Sequence, residues 1–280
     1  MKVKKVIIKI VALILAVLVF CVTAVFMPKL YSSLDSKFCV SMHTNKAPLL
    51  VAHRGFSGEH PQNTLVAFEQ AGKAGFYGCE FDIHTTKDGE WVVIHDDTVD
   101  NMTDGEGEVD SFTLEEIRKL KIDNGNGIEN YTDLKVPTLS ETLEICNEYD
   151  IVPVIEIKYC DEKYLPELKK MLDSEGLSSK AVIISFNRDY LSEYREIDKD
   201  VKMFFLAQNL TKEDIDWCVQ NTNTGFDFNH LFFFKSFTSL VYAKQKGVPL
   251  AVWTVDSPIL FDMMVFLFGA ECVTTNKIVP

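Results

Sequence analysis

The chain of 280 residues is 47% hydrophobic, enough apolar material for a sizeable core, which argues against a disordered protein. Its 41 acidic side chains against 28 lysines and arginines give a net charge of −13, whereas a nucleic-acid binder needs a basic face. An acidic protein can still take a phosphate substrate, because a bound metal and a few local cations invert the field inside a cleft.

In chain order, the first element is an apolar run from Val6 to Met27, broken only by Lys9 and long enough to cross a bilayer as a helix. Lys2, Lys4, Lys5 and Lys9 precede its apolar centre, and only Lys29 follows closely. That asymmetry predicts a cytoplasmic N-terminus and an extracytoplasmic remainder. A cleaved signal peptide, with Val22-Thr23-Ala24 as its cleavage tripeptide, is the rival. The unbroken stretch from Ile10 to Met27 exceeds a usual signal core and favours a single-pass anchor in the cell membrane. The chain thus divides into an anchor over residues 1–30, a linker over 31–47 and one domain over 48–280. Of seven cysteines, Cys21 falls in the apolar run; Cys39, Cys79, Cys146, Cys160, Cys218 and Cys272 lie beyond it. An even number outside the cell permits disulfides, yet Cys79 and Cys272 sit in apparent core strands, where a free thiol behaves as a small apolar group. Mostly unpaired thiols are expected, and no Cys/His spacing suggests zinc.

Beyond the linker, strand and helix patterns alternate. Leu49–His53 reads as a short apolar strand, and Asn63 as the cap of a helix in which Leu65, Phe68 and Ala71 recur at helical spacing. Gly78–His84 and Trp91–His95 read as strands either side of the turn Lys87-Asp88-Gly89. Thr113 and Glu116 form a capping box ahead of a short helix over residues 114–120. Thr138 to Ser140 leads into a helix through Tyr149, and Val152–Lys158 is the next strand. Strands over 181–186, 201–206, 225–228 and 248–255 then alternate with helices over 189–197, 212–219, 236–246 and 258–268, and a strand over 271–275 closes the series. With residues 91–95 set aside as a hairpin arm, eight near-continuous apolar strands alternate with helices. This predicts a TIM-type (β/α)8 barrel, preceded by the single transmembrane helix.

Barrels of this kind carry their chemistry at the C-terminal ends of the strands. Three clusters occupy such ends: Ala52-His53-Arg54-Gly55, Glu80-Phe81-Asp82 and His95-Asp96. Glu80 and Asp82 are two apart on a strand and face the same way, into the barrel, where two unpaired carboxylates repel at high cost. A hard cation relieves that repulsion, and Glu156, at the end of a later strand, can supply a third carboxylate. An all-oxygen set suits one Ca2+ or Mg2+. A buried salt-bridge network with Arg54 and Lys158 is the structural alternative. His53 and His95 are the candidate proton carriers, since imidazole titrates near neutrality. The fork of Arg54 can hold two phosphoryl oxygens, or it pairs with Glu80 or Glu156. Asn63 reads as a helix cap first and a ligand contact second. Trp253 is placed either to stack on substrate or to pack in the core. His84 points inward but has no assigned role, and His43, His60 and His230 carry no pattern.

These segments resemble the glycerophosphodiester phosphodiesterase family. The match runs through Ala52–Gly55, Pro61–Thr64, Glu80–Gly89, Val92–Asp96, Thr103–Gly107, Val136–Leu139, Glu156–Lys158 and Trp253–Val255, covering roughly Pro48 to Asn276. The resemblance implies a TIM-type barrel, a divalent metal held by Glu80, Asp82 and Glu156, and His53 and His95 as acid and base. The implied reaction releases an alcohol and glycerol 3-phosphate from a glycerophosphodiester or lysophospholipid. In its implied route the glycerol hydroxyl attacks phosphorus, a cyclic phosphate forms, and water opens it; Arg54, Lys158 and the metal stabilise the phosphoryl oxygens. The rival is a phospholipase-type lyase on a similar barrel that stops at the cyclic product. Three departures stand out: Gln62 where most relatives carry glutamate, Asn276 where an acid is common, and no eighth covering helix before Pro280. The run Leu231-Phe232-Phe233-Phe234 follows a strand on the catalytic face, where it would meet acyl chains or lie under loops. No nucleic-acid partner is expected, and the sequence does not speak to oligomeric state.

Overall fold

The computed structural model describes residues 48–278. The expected anchor and linker, and Cys21, Cys39 and His43 with them, lie outside the described residues. No helix among the described residues is long and apolar enough to cross a membrane.

The elements run β1 (Leu49–Ala52), α1 (Leu65–Lys73), β2 (Gly78–Thr85), β3 (Trp91–Val93), α2 (Leu114–Ile117), α3 (Leu139–Glu148), β4 (Val152–Tyr159) and α4 (Leu165–Ser174). They continue with β5 (Val182–Ser185), α5 (Arg188–Ile197), β6 (Lys202–Ala207), α6 (Lys212–Gln220), β7 (Thr224–Asn229), α7 (Phe233–Lys246), β8 (Leu250–Trp253), α8 (Pro258–Phe268) and β9 (Cys272–Thr275). Eight strands pair in parallel, and β1 bonds to both β2 and β9, which closes the sheet into the expected barrel. The ninth, β3, folds back antiparallel on the end of β2, as Ile83 opposite Val93. The strand ends at Val93, short of the apolar run, although the Ile94 amide still bonds to the Asp82 carbonyl in the same register.

Two-residue alternation decides what each strand shows to each side. Val51, Val154, Ile184, Phe204, Leu206 and Ala251 fill the lumen. Their neighbours Phe81, Ile155, Ile183, Phe205, Phe226 and Val252 face the helical ring and form the main core. Local signals start the helices where sequence chemistry demands. Thr138 caps α3 and Glu141 bonds back to it, a reciprocal box that satisfies two orphan donors of the first turn. Gly55 has φ +79, and a Cβ there would lie 2.6 Å from that of Ala67, so only glycine lets the loop after β1 sit on α1.

The excursion between β3 and α3 has a core of its own: Val92, Ile94, Val99, Met102, Val109, Ile117, Ile122 and Val136. Arg118 clamps it to the barrel, forking onto both oxygens of Glu141 at 2.8 Å and onto the Val136 carbonyl at 2.9 Å. Sequence pattern exposed only its capping box, now seen at Thr113 and Glu116, although the helix ends at Ile117 rather than 120. Cys79, Cys146, Cys160, Cys218 and Cys272 are all free thiols, as expected.

Candidate active site

The neighbouring strands β2 and β4 bring Glu80, Asp82 and Glu156 together, with Asp82 directly paired to Glu156. Their ligand oxygens lie within 4.8 Å of one another, and the three are 3%, 0% and 8% exposed. Burial, then repulsion from Asp82, pushes the Glu156 carboxyl up to about 8, and burial drives Glu80 well above the usual range. Burial works the same way on Asp82, but Arg54, His95 and Lys158 outweigh it and hold that carboxyl low. Asp82 Oδ1 is buried without a hydrogen-bond partner. Three converging hard oxygens, mutual repulsion and one unsatisfied oxygen are what a divalent cation would relieve, so the donor set fits the expected metal.

Each acid is held from outside the cluster. The Arg54 amide, at φ 53, donates to Glu80 Oε2 at 2.8 Å. The Arg54 side chain sets Nε 3.4 Å from Asp82 and donates from Nη1 to Gln62 at 2.7 Å. Its ion pair is therefore with Asp82, not with Glu80 or Glu156. Gln62 keeps the hydrogen bond that a glutamate would make, without the charge. Asn63 corrects its expected first duty: the cap of α1 is Thr64, while Asn63 Nδ2 donates to Asp82 Oδ2 at 2.8 Å. The backbone explains why, since φ 54 is unsuited to an N-cap and turns the amide towards β2. Lys158 Nζ lies 3.0 Å from Glu156 and 4.0 Å from Asp82.

His53 and His95 line one cavity with Glu80 and Glu156. His53 Nδ1 is 2.7 Å from Asn276 Oδ1, and Asn276 is itself fixed by its Nδ2 donating to Asp256 at 2.7 Å. With the amide oxygen turned to the ring, His53 carries its proton on Nδ1 and presents Nε2 bare. Burial and the neighbouring Arg54 lower its pKa to about 4 against the pull of that hydrogen bond. His95 Nδ1 likewise faces Asp96 Oδ1 at 2.6 Å, and its Nε2 lies 3.4 Å from Lys158 Nζ. His84 is buried behind them, its Nε2 3.3 Å from the His95 carbonyl, which steadies that strand end.

The cavity measures about 280 Å³. Opposite the charged groups it is walled by Ile184, Phe186, Leu206, Gln208, Asp227, Trp253 and Thr274. Trp253 thus reaches the cavity, its ring meeting Phe186 edge-on at 5.7 Å. The aromatic run after β7 divides: Leu231 and Phe234 are exposed, while Phe233 packs against the core. Sequence reasoning missed Asn276 and Asp96 as partners of the histidines, and Asp227 altogether. The last left a signal, an acid at inward parity inside the apolar strand 225–228.

The model of the glycerophosphoryl diester phosphodiesterase family matches residues 53–279. A glycerophosphodiester phosphodiesterase of Caldanaerobacter subterraneus subsp. tengcongensis is 37% identical over 216 residues, 74% of this chain and 86% of that protein. Glycerophosphodiester phosphodiesterase 1 of Bos taurus is 30% identical over 236 residues, 74% and 71% of the two chains. Among solved structures, a glycerophosphodiester phosphodiesterase from Parabacteroides distasonis superposes with TM-score 0.68 at 27% identity, over 81% of this chain and 92% of that one. An Oleispira antarctica phosphodiesterase, solved with the product sn-glycerol-3-phosphate, superposes with TM-score 0.74 at 24% identity, over 85% and 95%.

Proposed function

The chain belongs to the glycerophosphoryl diester phosphodiesterase family and is a glycerophosphodiester phosphodiesterase, and from that premise we propose how its own residues carry the reaction. The observation that carries the proposal is the pair of imidazoles, each oriented through Nδ1, in one cavity with Glu80 and Glu156. A Ca2+ or Mg2+ held by Glu80, Asp82 and Glu156 would supply Lewis-acid stabilisation of the phosphoryl oxygens.

His53, kept neutral at working pH, removes the proton of the glycerol hydroxyl beside the phosphodiester. The hydroxyl oxygen bonds to phosphorus as the P–O bond to the alcohol breaks, and His95 protonates the departing alcohol. Intramolecular attack replaces the entropic cost of an external nucleophile. In the second step the roles reverse: His95 takes a proton from water, which opens the cyclic phosphate, and His53 returns its proton to the glycerol oxygen. Arg54 and Lys158, both already tied to Asp82, present positive charge to the phosphoryl oxygens throughout. Trp253 bounds the substrate arm.

The test is phosphorus NMR of glycerophosphocholine incubated with the full chain in detergent, with and without chelator. Glycerol 3-phosphate is expected only in the unchelated sample. Accumulation of cyclic phosphate alone would instead identify a lyase, and hydrolysis of a diester lacking the neighbouring hydroxyl would rule out the cyclic route. We further propose that residues 6–27 tether the domain to the outer face of the cell membrane, where deacylated phospholipids are the substrates. Protease added to intact cells should then remove the activity from the membrane, and resistance to it would sink the topology.

A further inference from the structure

One acid in the barrel lumen has no part in the reaction as written. Asp227 sits on β7, paired across the ladder with Leu206 and Ala251, and it is 4% exposed. It stands outside the acid cluster, and its Oδ1 is buried without a hydrogen-bond partner. A buried oxygen left so is costly, and a leucine or valine at that point would remove the cost. The next strand repeats the pattern: Trp253 Nε1 is also buried without a partner, and both residues wall the same cavity. Register places Trp253 two residues beyond the strand partner of Asp227 on the same inward parity. One arc of the cavity therefore offers an acceptor and a donor, both unsatisfied.

A hydroxyl has the chemistry both atoms lack, giving one hydrogen bond and receiving another. An ammonium would suit the carboxyl but leave the indole N–H orphaned. Depth selects which part of the substrate arrives. Ile184, Leu206 and Thr274 are buried around Asp227 and close the floor, while Phe186 is exposed at the rim. Phosphorus must lie between His53 and His95, so the bulky alcohol leaves by the open side. The three-carbon arm is what the closed end can hold. Resting on the hydrolase reading above, we propose that Asp227, with Trp253, binds the terminal hydroxyl of the glycerol arm and makes the enzyme select glycerol esters over their deoxy analogues.

The experiment compares two diesters with the full chain: glycerophosphocholine, and its analogue with a methyl in place of the terminal hydroxymethyl. The analogue keeps the hydroxyl needed for attack. A site built around a hydroxyl rejects the analogue strongly, so the wild-type kcat/KM ratio should be at least about 100. In Asp227→Val the ratio should fall to within about threefold of unity, through loss on the glycerol ester alone. The isosteric Asp227→Asn, which keeps the volume should the valine variant misfold, should lower the ratio at least about tenfold. Equal turnover of both diesters by wild type, or an unchanged ratio in both variants, overturns the proposal while leaving the hydrolase reading intact. Turnover of neither diester by wild type overturns both.

Discussion

The two sides of the barrel mouth make an instructive contrast. The β1, β2 and β4 side carries the acids, both histidine-bearing loops and the cations, held by a web of ion pairs and hydrogen bonds. Of the buried side-chain atoms in that web, Asp82 Oδ1 and Arg54 Nε alone lack a hydrogen-bond partner. The β6 to β8 side has the same strands, pairing and inward parity, yet it shows aromatic and aliphatic surface with two orphaned polar atoms. Strand geometry therefore supplies positions, not chemistry. Charge on the first side is wired before substrate arrives, whereas the second side waits for substrate to complete it.

The contrast breaks most completely where the wired side loses a proton carrier. His53→Ala and His95→Ala should each lower kcat by about 10³-fold with an unchanged circular dichroism spectrum, since positioned acid–base groups contribute about 10²–10⁴-fold. A residual rate near wild type would remove the imidazole from the mechanism. Chelation comes next: activity should drop at least about 100-fold and return on adding Ca2+ or Mg2+, as loss of a Lewis acid costs several kcal/mol of transition-state stabilisation.

Asn276→Asp sharpens the comparison through pH. The lowered pKa of His53, about 4 in the metal-free fold, keeps the imidazole neutral above that value. A carboxylate in place of the neutral amide favours the imidazolium and raises the pKa. The acid limb of kcat/KM should therefore shift to higher pH, and an unmoved limb would show that His53 is not the base. On the quiet side, Trp253→Ala should raise KM about tenfold and change kcat less, the signature of lost uniform binding. The smallest effect belongs far from either side: Thr138→Ala removes the cap of α3 and should cost about 1 kcal/mol in urea denaturation with kcat/KM unchanged.

The barrel was legible in the sequence because its strands are uninterrupted apolar runs whose order alone dictates the topology, down to the β3 arm. The acids and histidines were legible because they end those runs. What stayed hidden was whatever depends on contacts distant in sequence or on one backbone angle. Asn63 lies beside a cap position, and only its positive φ turns its amide to Asp82. The excursion after β3 is built on isolated bridges, such as Thr103 with Ile122, which leave no periodic trace. Asp227 showed an odd residue in an apolar strand, but not that its oxygen would be stranded.

The bond from His53 to Asn276 spans 223 positions. The first histidine of the site is therefore oriented by a residue translated 223 positions after it, on the loop after the strand that closes the barrel. A nascent chain stopped before β9 would have an open sheet edge beside β1 and a swinging imidazole. Catalytic competence thus waits for the last strand of the barrel, when the two ends of the domain meet.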